Sequence, residues 1–124
     1  MRYLTDRKRA VGLGSAKSGV HHFWAMKMSS IGLLFLVPLF VFTFGSILGA
    51  PHAEVVAYFA RPFPAIVAAL TLVIGFKHFR DGVQILIEDY VPHETAQKIT
   101  IILLACLCYA AMATGLFAIA KIAL

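Results

Sequence analysis

The chain has 124 residues, enough for one domain; 60% of them are hydrophobic and 14% charged, against about a quarter charged in soluble domains. A mean hydropathy of +0.85 excludes a water-soluble fold of this size, because a small domain has too much surface to hide so many apolar side chains; lipid is the solvent that suits the excess. The formal net charge is +5, but no basic stripe alternates with aromatics, which argues against nucleic acid as the partner.

The basic residues crowd the start of the chain. Arg2, Arg7, Lys8, Arg9 and Lys17 all precede the first apolar run, as the positive-inside rule expects of a cytoplasmic terminus. That run is too long for a signal-peptide core and no small-x-small site ends it, so the N-terminus reads as retained. Residues 1–27 are a cytoplasmic tail and interfacial lead-in. Within it, 19–27 is expected as a short helical stretch near the membrane surface, with Phe23 and Trp24 as interfacial aromatics.

Three spanning helices are expected, at about 28–48, 63–87 and 99–119. Each approaches the roughly 20 residues that cross the hydrocarbon, and only a helix satisfies its own backbone there within a single segment. Pro38 predicts a kink in the first, and Gly49-Ala50-Pro51-His52 end it. Arg61-Pro62-Phe63-Pro64 announce the second, prolines being tolerated in a first turn; Val91-Pro92-His93 close it. The fold class is therefore all-α and integral to a membrane, one domain over 1–124. An odd number of spans puts the N-terminus and the second loop, with Lys98, in the cytoplasm. The first loop, with Glu54 and Arg61, and the C-terminus, with Lys121, face outward. Cys106 and Cys108 point about 200° apart on a helix and form no disulfide.

Chemistry concentrates in the second helix, in Gly75-Phe76-Lys77-His78-Phe79-Arg80-Asp81-Gly82 and on to Glu88-Asp89-Tyr90. Ionisable residues inside a span are costly and face protein, cofactor or water. At about 100° per residue, Gly75, His78, Gly82, Ile85 and Asp89 share one stripe. Two glycines about a turn either side of a histidine leave a flat gap for a bulky ring such as a porphyrin, and imidazole is an axial ligand of b-type haem. The same pattern suits a buried histidine bonding a neighbouring helix, with glycines that merely permit close packing. Asp89 lies about 16 Å further along the axis, followed by Tyr90. A phenol and a carboxylate at the membrane edge suit a quinone, which needs a hydrogen-bond donor for its carbonyl and protons on reduction; they equally suit an ordinary helix end. Arg80 either steadies a haem propionate or pairs with Asp81.

These residues resemble the succinate dehydrogenase hydrophobic membrane anchors, the smaller of the two anchor types. The resemblance rests on His78, ten intervening residues, then Asp89-Tyr90-Val91; on Gly19-Val20-His21-His22-Phe23 before the first span; and on the lead-in Gly12-Leu13-Gly14-Ser15-Ala16-Lys17-Ser18-Gly19, similar to alphaproteobacterial members. It implies a bacterial inner-membrane subunit whose three helices form part of a bundle with a larger cytochrome b anchor, joined by an iron–sulfur subunit and a flavoprotein. It implies His78 as an axial ligand of a haem b shared with that larger anchor, and Asp89 and Tyr90 at the ubiquinone site. Where relatives place an arginine near haem propionate or the quinone pocket, this chain has Lys27, which keeps the charge without the bidentate fork; His22 stands where relatives are often acidic. The chain has no nucleotide fingerprint, no cysteine cluster and no dicarboxylate site, so no catalytic centre of its own is expected. The rival readings are a fumarate reductase anchor, a small proton-coupled transporter with Asp81, Glu88 and Asp89 as a relay, and a purely structural anchor.

Overall fold

The computed structural model describes residues 3–14 and 18–124; Arg2 and Lys17 of the basic tail, and 15–17 of the lead-in, lie outside them. Among the described residues all regular structure is helical: α1 (Asp6–Val11), α2 (Ser18–Gly45), α3 (His52–Phe59), α4 (Pro62–Tyr90) and α5 (Glu94–Ala123). Three of these, α2, α4 and α5, are long and apolar enough to cross a membrane.

Helix α1 opens on Thr5, whose hydroxyl accepts from the Lys8 N–H at 3.3 Å, satisfying one of the orphan donors of a first turn. Helix α2 takes in the stretch expected as a separate lead-in, so residues 19–27 are continuous with the first span, and the helix runs on past Pro38. It stops at Gly45, three residues short of the expected end. There the Ser46 hydroxyl turns back onto the Thr43 carbonyl at 2.7 Å, and Gly49 adopts φ 82°, open to glycine at little cost. Helix α3 fills the first loop, tied to the end of α2 by Ser46 Oγ to Tyr58 OH at 3.3 Å. Helix α4 begins with proline in its first turn. Helix α5 starts after only three residues, at Glu94, which pairs with Lys98 at 2.6 Å.

Helix α4 is the centre of the molecule. Both α2 and α5 pack along it, while among the described residues α2 and α5 do not touch each other. The three spans therefore form an open layer rather than a closed bundle. A Cβ on Gly32 would sit 3.7 Å from Ile74, and Ser29 meets His78, so numbers rise on α2 as they fall on α4; the two helices are antiparallel. The buried apolar residues, Ala65, Val67, Ala68 and Ile87 of α4 and Cys108 of α5, are mostly small, which lets backbones approach closely where lipid supplies no hydrophobic drive. Large side chains such as Phe35, Phe42, Leu107 and Phe117 point outward. Both cysteines are free.

Candidate functional site

The two sides of α4 carry different chemistry. Towards α2, the half-buried His78 presents Nδ1 to Ser29 Oγ at 3.0 Å. Ser29 is buried, and its hydroxyl also lies 2.8 Å from the Met26 carbonyl one turn back. Among the described residues nothing bonds the other ring nitrogen, Nε2. On the same stripe, a Cβ built on Gly75 or Gly82 would meet nothing within 4 Å. From Gly75 a groove of about 430 Å³ extends between α4 and α2, lined by Phe40, Thr71, Leu72, Phe76 and Phe79. Its walls are almost wholly carbon, since the Thr71 hydroxyl is turned onto the Val67 carbonyl at 2.7 Å. That volume lies in the range of small-molecule sites. The lining fits a flat, apolar ring; His78 is not part of it, and lies on the neighbouring stripe of α4 that Gly75 shares.

Towards α5 lies a charged knot. Asp81 is 1% exposed, yet a carboxylate in a membrane must be paired. Lys77 Nζ reaches its Oδ2 at 2.8 Å, and Arg80 Nη2 its Oδ1 at 2.8 Å. Lys77 stands one turn before Asp81, the i,i+4 spacing that lets the two side chains meet. Arg80 also donates from Nη1 to the Tyr109 hydroxyl of α5. The ion pair with Asp81, one of the two readings of Arg80, is thus formed. The Arg80 side chain leaves α4 about 200° round from His78. A smaller cavity of about 190 Å³ lies beside it, among Val73, Lys77, Arg80, Tyr109 and Met112.

Asp89 and Tyr90 are the last two residues of α4, both exposed, Tyr90 at 78%. They are not brought to His78; they sit at the end of the helix, where the antiparallel register also places the start of α2. Their neighbour Glu88 anchors the turn into α5, its side chain taking Gln84 at 2.8 Å and its carbonyl taking Gln97 at 3.0 Å. Lys27 is exposed, with Nζ 5.8 Å from the centre of the Phe23 ring. Two residues before Ser29, it points away from the α4-facing side of α2. His22 is half-buried, and its Nε2 has no partner among the described residues.

Two contacts were not legible in the sequence. As a serine pair at the start of an apolar run, Ser29 and Ser30 are candidates for the haem side of the first span, but nothing local assigns Ser29 to a histidine 49 residues away. Tyr109 carries no motif; only a hydroxyl in an otherwise apolar span marks it.

The comparisons with known proteins agree on what this arrangement belongs to. Residues 1–117 match the family model described as succinate dehydrogenase/fumarate reductase transmembrane subunit. The succinate dehydrogenase hydrophobic membrane anchor subunit of Paracoccus denitrificans is 41% identical over 124 residues, covering 100% of this chain and 95% of the relative. That of Rickettsia conorii is 30% identical over 101 residues, 81% of this chain and 80% of the relative. No solved structure matches. The chain belongs to the succinate dehydrogenase/fumarate reductase transmembrane subunit family, as one of its succinate dehydrogenase membrane anchors.

Proposed function

We propose that this anchor contributes one axial ligand to a b-type haem and one wall of a quinone site, so that electrons from succinate oxidation reach ubiquinone. The observation that carries the reading is His78: an imidazole with Nδ1 engaged by Ser29, flanked on its stripe by two glycines with open space above them. A haem bound there supplies one-electron storage between the soluble redox centres and the quinone. His78 offers Nε2 to the iron, and Gly75 and Gly82 leave room for the ring. A single histidine needs a second from a neighbour, which we assign to a larger cytochrome b anchor seated on an open face of the layer. An iron–sulfur subunit and a flavoprotein complete the assembly at the inner membrane. The N-terminus and the α4–α5 turn face the cytoplasm, the side favoured by Arg7, Lys8, Arg9 and Lys98.

Tyr90 donates its phenol hydrogen bond to a quinone carbonyl, and Asp89 beside it orients that bond and passes protons from water. Both are exposed at the end of α4, where a lipid-borne ring and water can both reach them. Lys27 supports the pocket or a propionate from the outer side of α2. Arg80, already engaged by Asp81 and Tyr109, serves the α4–α5 contact in this reading.

The test is a dithionite-reduced minus oxidised spectrum of the purified complex, wild type against His78→Ala. Loss or a clear shift of the b-type band is expected; an unchanged band places the iron's ligands elsewhere and returns His78 to packing. The matched family also includes fumarate reductase subunits, and extraction of the bound quinone separates that alternative from ubiquinone reduction.

A further inference from the structure

We infer that Ser29 is a positioning residue for His78: its hydroxyl accepts the Nδ1 proton, fixes the ring, and so leaves Nε2 as the nitrogen that binds iron. This rests on the reading of His78 as a ligand and adds the residue that orients it.

A neutral imidazole carries one N–H, and the nitrogen without it is the one that binds a metal. Ser29 Oγ stands 3.0 Å from His78 Nδ1 and 2.8 Å from the Met26 carbonyl. With the ring proton on Nδ1, the single hydroxyl proton goes to Met26 and an oxygen lone pair accepts from Nδ1, so both contacts are hydrogen bonds at once. With the ring proton on Nε2 instead, the hydroxyl must turn to Nδ1 and give up Met26, and Nε2 carries a proton where the iron would bind. Ser30 Oγ also reaches that carbonyl, at 2.9 Å, so Met26 has a donor in either case and does not itself choose. A metal bound at Nε2 would leave the ring proton on Nδ1, and Ser29 is the group able to accept that hydrogen bond.

Position supports the assignment. Ser29 is 7% exposed, in apolar surroundings where a hydroxyl without partners is costly. Among the described residues, no other group contacts Nδ1. Metal-binding histidines usually donate their other N–H to an acceptor, and losing that acceptor typically costs 10–100-fold in metal affinity or activity. Lys77, Arg80 and Asp81, the charged groups nearest in sequence, are engaged with one another and with α5.

The experiment compares wild type, Ser29→Ala, Ser29→Thr and His78→Ala in the assembled complex, measuring haem retention on dilution, the haem midpoint potential and the low-spin electron paramagnetic resonance signal. Ser29→Ala is expected to keep the b-type band but lose haem roughly 10–100-fold more readily. Its midpoint potential is expected to rise, because a ligand whose N–H has no acceptor donates less charge to ferric iron. Ser29→Thr keeps the hydroxyl and is expected to restore both. If Ser29→Ala matches wild type in potential and resonance signal, or differs only in yield of assembled complex, Ser29 is packing and the inference fails while His78 stands. If His78→Ala leaves the band unchanged, the ligand reading itself fails and takes the inference with it.

Discussion

Helix α4 turns two unlike sides to its neighbours. Towards α5, the buried carboxylate is fully engaged: Asp81 is held by both Lys77 and Arg80, and Arg80 also reaches Tyr109. Towards α2, polarity is sparse and incompletely engaged: one imidazole with one nitrogen bonded, and two glycines facing space. Both sides hold residues that are expensive in a membrane. The difference is in what is left over. The cluster around the saturated Asp81 serves to join helices, whereas the imidazole keeps one ring nitrogen unbonded among the described residues.

Substitutions can break that contrast. The largest effect is expected on the saturated side, for stability. Asp81→Ala leaves two cations in a span without their carboxylate, and removing one partner of a buried pair costs about 3–5 kcal/mol; thermal unfolding of the detergent-solubilised complex should show it as a marked fall in melting temperature or failure to assemble. Next, on the open side, Gly82→Leu should fold, since a Cβ there has no neighbour within 4 Å in this chain, yet should bar a flat ring. The expected outcome is an assembled complex with a much weaker haem band, and a full band would remove Gly82 from the haem face. Tyr90→Phe is smaller and different in kind: quinone reduction falls by about tenfold or more, as for loss of one hydrogen bond to a reacting group, with the haem spectrum unchanged. Tyr109→Phe removes one hydrogen bond to a charged group, about 1.5–3 kcal/mol, and should lower the melting temperature without touching haem. The exposed Glu94–Lys98 pair is the control, worth a few tenths of a kcal/mol in a helix; Lys98→Ala should be indistinguishable in stability from wild type.

Much of this was legible in the residues. The three spans are strong apolar runs, and lipid leaves little alternative to helix. Their ends were less legible because helices do not stop where hydropathy does: α2 continues back through polar residues to Ser18, and α5 starts at Glu94 through Gln97 and Lys98, good helix formers outside the apolar core. Helix α3 is too short to show a period. Within the site, Gly75, His78 and Gly82 could be placed on one stripe because a single helix fixes their angles. The partners of those residues could not, because the register between α2, α4 and α5 depends on packing that no local pattern encodes. Ser29 against His78 and Tyr109 against Arg80 are both cross-helix facts.

The charged knot has a consequence for how the chain enters its membrane. A charged residue at the centre of a span raises its insertion cost by about 2.5–3.5 kcal/mol, and α4 carries Lys77, Arg80 and Asp81 within five successive positions. Alone, it is the poorest candidate of the three for leaving the translocon. Only three residues separate it from α5, whose central stretch has no charge and offers Tyr109 to Arg80. The two helices are therefore best inserted as a hairpin, with α4 held at the lateral gate until its follower is made. A ribosome stalled with α5 still in the exit tunnel should leave α4 extractable by alkaline carbonate, and release of α5 from the tunnel should lock both into the bilayer together.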